Sequence, residues 1–149
     1  MEELWELRRY VEAGDVDAAL TLLDEMEEMS RDDKITRIRS YMKILLTHLI
    51  KQAVEKRSSR SWDVSIRNAL DEIATHNKRR KAGGWYLTHD ELTETLREAY
   101  ELALDRAALE AFGGAYSAAD IRARHDPAAL LQEAMQLLEQ TQESMRRQA

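Results

Sequence analysis

The sequence predicts an all-α protein: a helical bundle of five main helices with short extra helices, expected to fold as one domain over residues 1–149. Three observations carry that prediction. One proline and five glycines in 149 residues are too few turn residues for a β-protein of this length. Apolar side chains recur every three or four positions, the period that lines one face of a helix. Ser, Thr or Asp stands ahead of most of these runs, where a side-chain oxygen can accept a first-turn N–H.

Leu4, Leu7 and Val11 form the first stripe, and Gly14 ends it, since glycine accepts the left-handed conformation of a helix stop. Asp15 caps a second helix with Val16, Ala19, Leu20, Leu23 and Met26 on one face. This hairpin is similar in outline to a tetratricopeptide unit, but no second copy follows at repeat spacing, which excludes a solenoid. Ser30 followed by Asp33 reads as the start of a third helix. Ile35, Ile38, Met42, Leu45 and Leu49 make one stripe there, and Tyr41, Ile44, Leu46, Ile50 and Val54 fill much of the remaining circumference. A helix apolar on that many sides belongs in the middle of a bundle.

The fourth helix is expected to start at Ser59 or Ser61, with Trp62, Ile66, Leu70 and Ile73 inward, and to fade into "NKRRKAGG". Thr88 and Glu91 make a capping box for a fifth helix, whose stripe is Leu92, Leu96, Ala99, Tyr100, Ala103 and Ala107. The glycine pair in "FGGAYS" closes it, and Ser117 with Asp120 opens a short helix. Asp126-Pro127 opens the last one, because proline at the first helical position loses no needed N–H. Leu131, Ala134, Met135 and Leu138 supply its face.

A chain of this size buries about 70% of its unfolded surface without staples. It holds no cysteine, which excludes disulfides and thiolate chemistry. The acidic start "MEELWELRRY" lacks the apolar stretch of a secretory signal, and "ILLTHLI" (44–50) is too short to span a bilayer. A cytoplasmic location away from membranes is therefore expected. The net charge of −6 hides three blocks. Residues 1–30 carry ten Asp/Glu and two Lys/Arg, net −8; residues 31–81 carry six and fourteen, net +8; residues 82–149 carry twelve and six, net −6. Such a layout marks either an anion-binding face or a basic middle that packs against acidic flanks, within one chain or across a dimer.

Catalytic motifs are missing. No H-E-x-x-H pair, Glu-x-x-His di-iron motif, Gly-rich phosphate loop or nucleophile elbow occurs, so no metal or cofactor is expected. Helical ribonucleases of the HEPN group carry an arginine a few residues ahead of a histidine. Here the nearest arginine before His48, His76 and His89 leaves eight intervening residues, and Arg124 directly adjoins His125. His48 stands mid-helix among leucines, either as a hydrogen-bonded core histidine or as an acid–base or anion contact.

The stretch "KRSSRSW" (56–62) places cations, serines and a tryptophan together. A serine cap with Trp62 packed on the preceding helix explains it as a joint. Lys51, Lys56, Arg57, Arg60 and Arg67 cluster around that joint, and guanidinium groups beside free N–H groups suit phosphate. A second cluster, "KRRKAGGWY" (78–86), mixes cations with aromatics that either stack on bases or fold back onto the bundle.

The segment "SYMKILLTHLIKQAVEKRSSRSWDVSIRNALDEI" (40–73) resembles the bacterial proteins grouped as domain-of-unknown-function family 29. Leu45, Leu46, His48, Leu49, Ile50 and Lys51 match its Leu-Leu-x-His-Leu-Leu-Lys stretch, and Arg57, Ser58, Ser61 and Trp62 match its Arg-Ser-x-Ser-Trp joint. Roughly residues 20–110 are covered. Gln52 stands where members often carry tryptophan, no proline precedes the basic joint, and "AFGGAYSAADI" replaces a Phe-Pro and Cys-Pro-Tyr turn. The resemblance implies an all-helical fold and no established activity.

The reading that follows is a non-enzymatic helical module that self-associates, most simply as a dimer, or docks a protein partner. The alternative is binding of a phosphate ligand or nucleic acid through the basic segment 51–81, by His48, Lys51, Lys56, Arg57, Arg60, Trp62 and Arg67. An enzyme using His48 stands third.

Overall fold

The computed structural model describes residues 2–79 and 83–148. Six helices follow one another: α1 (Glu2–Glu12), α2 (Val16–Glu55), α3 (Arg60–Asn77), α4 (His89–Glu110), α5 (Ala118–Ala123) and α6 (Pro127–Gln148), with a 3₁₀ turn at Ala111–Gly114. The only extended pairing among the described residues is a single bridge between Lys78 and Trp85. The fold is an all-α bundle, as the periodicity predicts.

The expected break at Ser30 is not there, because α2 runs unbroken for 40 residues. A Ser-x-x-Asp pattern starts a helix only where something upstream has stopped the previous one. Between Gly14 and Gly83 the chain holds neither glycine nor proline, so no such breaker stands near Ser30, and the break that does occur, after Glu55, is made by Lys56 in the left-handed region. Other caps fall where expected. Gly14 adopts φ +74°, and the Gly14 and Asp15 N–H groups reach back to Val11 and Tyr10 carbonyls at 3.1 and 2.9 Å, the two bonds of a Schellman stop. Asp15 Oδ1 then accepts the Ala18 N–H at 3.1 Å. Capping boxes at Thr88/Glu91 and Ser117/Asp120 are complete, and Asp126 Oδ1 accepts from Ala128 and Ala129 ahead of α6.

The chain divides into two compact units, residues 1–35 and 36–149. The first comprises α1 and the first half of α2. Its buried side chains are Ala19 and Leu22, with Leu7, Tyr10 and Met26 among those half-covered. Of the expected face, Ala19 is buried and Met26 half-covered, whereas Val16, Leu20 and Leu23 are exposed. The covered stripe runs 19, 22, 26, with Leu22 in place of Leu23.

The second unit holds the main core. Ile38, Met42, Leu45, Leu46 and Ile50 of α2 are fully buried, with Ile73 of α3, Leu92 and Leu96 of α4, Ile121 of α5 and Leu138 of α6. α2 is apolar around less of its circumference than its composition suggests, because Ile44 remains exposed. Tyr41 of α2 stacks on His76 of α3 with ring centroids 5.7 Å apart, and Arg39 of α2 donates to Glu98 of α4 at 2.9 Å. The α3–α4 connection folds back onto the bundle: the Tyr86 N–H donates to the Asn77 carbonyl at 2.8 Å, and Trp85 and Tyr86 are half-buried.

Candidate functional site

Ser40, Lys43, Thr47, His48 and Lys51 share one face of α2, since their spacing alternates threes and fours. That face meets the end of α4, where Arg106 and Glu110 lie one turn apart. Ser40, Lys43, Ile44, Thr47, His48, Arg106 and Glu110 line a hollow of about 360 Å³.

Glu110 organises the cluster. Its Oε1 accepts from Lys51 Nζ at 3.1 Å and its Oε2 pairs with Arg106 Nε at 3.2 Å. Lys51 is buried, only 5% exposed, and its ammonium lies 4.6 Å from the Trp62 ring centroid. Burying an ammonium costs several kcal/mol unless it is paired; the carboxylate and the negative face of the indole supply the pairing. Arg57 also stands over Trp62, at 4.5 Å, while its Nε donates to Glu55 Oε1 at 3.1 Å.

His48 is half-buried, with Nδ1 buried and without a hydrogen-bond partner. Burial is the main cause that lowers its pKa, the nearby Lys51 charge lowers it further, and Glu110 opposes them. The ring is therefore neutral at pH 7. A buried N–H with no acceptor is costly, so its proton sits better on Nε2. Among the described residues no carboxylate or carbonyl accepts a hydrogen bond from the ring.

This shift has a measurable consequence. Below the usual histidine value of about 6.5 the unfolded chain takes up a proton that the folded chain resists. His48 thus contributes stability above about pH 6.5, and that contribution is lost as pH falls through the folded pKa. Denaturation midpoints measured from about pH 7.5 down to 5 are expected to fall less steeply for His48→Gln than for the wild type. An unchanged slope would show that His48 does not carry the pH dependence.

Glu110 pairs with Lys51 and lines the hollow with His48, and Lys51 and Arg57 stand over Trp62; of the sequence-predicted site residues, His48 alone lines that hollow. Ser59, not Ser61, is the cap of α3: its Oγ accepts the Trp62 N–H at 3.2 Å. Ser58 Oγ donates to Asp63 at 2.6 Å and accepts from Gln52 Nε2 at 2.8 Å. "KRSSRSW" is thus a built joint, with Lys56 in the left-handed region at φ +53°. Lys56, Arg60 and Arg67 are exposed, and none has a hydrogen-bond or ion-pair partner among the described residues. Arg67 borders a separate depression with Gln52, Asp63 and Asp71. In the second basic cluster Arg79 stands over Tyr86 at 5.7 Å; Arg80 and Lys81 lie outside the described residues.

Sequence reasoning did not single out Ser40, Lys43, Arg106 or Glu110. The signal present was a polar stripe through an otherwise apolar stretch of α2, at positions 40, 43, 47, 48 and 51. A larger groove of about 480 Å³ between α4 and α6, floored by Leu96, Leu131 and Met135, also went unnoticed. His89 Nδ1 and Glu139 Oε1, 2.7 Å apart, border it.

The family model described as "Domain of unknown function DUF29" matches residues 6–118. No curated protein and no solved structure matches the chain. No helix among the described residues is long and apolar enough to cross a membrane.

Proposed function

The chain belongs to the DUF29 family, which carries no assigned activity, and from that premise we propose that it is a non-enzymatic interaction module pairing with a second copy of itself through residues 1–35. One observation carries the reading. Leu4, Trp5, Val11, Val16, Leu20 and Met29 are each between 47% and 70% exposed, in a unit whose buried side chains are Ala19 and Leu22. Leaving the uncovered part of such side chains in water forgoes about half of the roughly 1.5–3 kcal/mol that full burial of each is worth. A 35-residue helical hairpin is below the size that sustains a core of its own, and concentrated exposed apolar surface is a mark of association.

Charge complementarity selects the occupant. Residues 1–30 carry net −8, so two such hairpins facing each other repel. Residues 31–81 carry net +8, and Lys56, Arg60 and Arg67 stand exposed and unpaired among the described residues. Each hairpin docking on the other copy's basic segment makes a reciprocal contact, the arrangement of a closed two-fold dimer. Arg60 and Arg67 then serve an acidic protein surface rather than a nucleic acid.

Light scattering at micromolar concentration is expected to give twice the 17.2 kDa of one chain, with association weakening as salt screens the opposed charges. Trp5→Glu with Leu20→Glu is expected to give the single-chain mass with helical content retained. A monomeric wild type, or a dimer indifferent to those two changes, sinks the reading.

A further inference from the structure

The hollow beside His48 has a donor set that neither the joint nor the proposed dimer contact uses, and all its residues lie within 36–149. We propose that it binds a small hydroxylated phosphate monoester, a polyol or sugar phosphate, through Lys43, Arg106 and His48.

Glu110 is the one acid lining the hollow among the described residues, and both its oxygens are already engaged, one by Lys51 and one by Arg106 Nε. The Lys43 ammonium has no hydrogen-bond or ion-pair partner among the described residues, and Arg106 meets Glu110 through Nε at 3.2 Å, its terminal N–H groups making no hydrogen bond among the described residues. With Lys51 behind Glu110, the cluster of three cations and one carboxylate retains positive charge.

Lys43 and His48 come from α2 and Arg106 from α4, so donors face the hollow from two helices. A neutral His48 protonated on Nε2 adds an N–H, and three donors around one opening suit a tetrahedral oxyanion. Ser40 and Thr47 add acceptors rather than donors. Their hydroxyl protons are committed to the Thr36 and Lys43 carbonyls at 3.0 and 2.7 Å, which leaves oxygen lone pairs for ligand hydroxyls. Exposed Ile44 offers a carbon backbone something to rest on. A volume of about 360 Å³ lies at the small end of ligand sites, matching a three- to six-carbon phosphate rather than a nucleotide polymer.

The probes are glycerol 3-phosphate, inorganic phosphate and glycerol, titrated into the full chain while the His48 ring is followed by NMR. Glycerol 3-phosphate is expected to move the His48 signals saturably and to bind several-fold more tightly than inorganic phosphate. Glycerol alone is expected to have no effect. Lys43→Gln and Arg106→Gln are each expected to weaken binding about tenfold, the scale of one charge-assisted hydrogen bond, and Arg67→Gln to leave it unchanged. Trp5→Glu with Leu20→Glu is expected to retain binding, which separates this site from the docking proposal. A non-saturating response, or equal affinity in the Lys43 and Arg106 variants, overturns the site. Glycerol 3-phosphate binding no better than inorganic phosphate overturns the polyol assignment.

Discussion

Asn77→Ala is expected to lower stability by about 2–4 kcal/mol, an estimate from the bonds it removes. Asn77 is fully buried at the end of α3. Its Oδ1 accepts the Leu87 N–H at 2.8 Å, and its Nδ2 donates to Gln142 Oε1 of α6 at 2.9 Å. One amide therefore ties the end of α3, the entry to α4 and the last turns of α6 together. Leu87 is itself 3% exposed, so alanine leaves its N–H without an acceptor, which accounts for roughly 1–3 kcal/mol of that loss. Gln142→Ala removes only the half-buried partner and is expected to cost about 1 kcal/mol. Denaturant midpoints at constant m-value measure both. Equal losses for the two variants would show that the loop is not held by Asn77.

The second large effect is an asymmetry across the buried ion pair. Glu110→Gln strands the Lys51 ammonium and is expected to cost about 1–3 kcal/mol. That is less than the 3–5 kcal/mol typical when both partners are buried, because the Glu110 side chain is 40% exposed and partly screened. Lys51→Met removes the buried charge itself, keeps volume against Trp62, and leaves Glu110 its bond to Arg106. That variant is expected to stay within about 1 kcal/mol of the wild type. A Lys51→Met loss as large as that of Glu110→Gln would mean that the ammonium stabilises the joint in its own right.

Much of this architecture is legible along the chain because the signals are local. Asp15, Thr88, Ser117 and Asp126 each act within one turn, and the α4 stripe from Leu92 to Ala107 follows directly from helical period. Ser30 misleads for the same reason. A capping pattern reports what a residue can do, not that the preceding helix stops there; the one break in this stretch, after Glu55, is made without glycine or proline, by Lys56 in the left-handed region. The candidate site is less legible because its halves are far apart in sequence. Lys51 and Glu110 are 59 positions apart, and nothing in the α2 stripe names the α4 residues that face it. The burial of Lys51 is equally hidden, since a lysine beside "RSSRSW" looks like one more surface cation until the indole and the carboxylate are placed around it.

The three tryptophans stand in three different surroundings: Trp5 is 70% exposed on α1, Trp62 lies beneath two cations in the joint, and Trp85 is half-buried in the α3–α4 connection. The protein thus carries three built-in optical probes. Variants that keep one indole and convert the other two to phenylalanine would emit from one place at a time. Trp5 would shift to the blue when residues 1–35 are covered. Trp62 would brighten or dim as the cations over it leave, and Trp85 would report release of the connection from Asn77. Association, opening of the joint and local unfolding can then be followed as separate signals, without any attached dye.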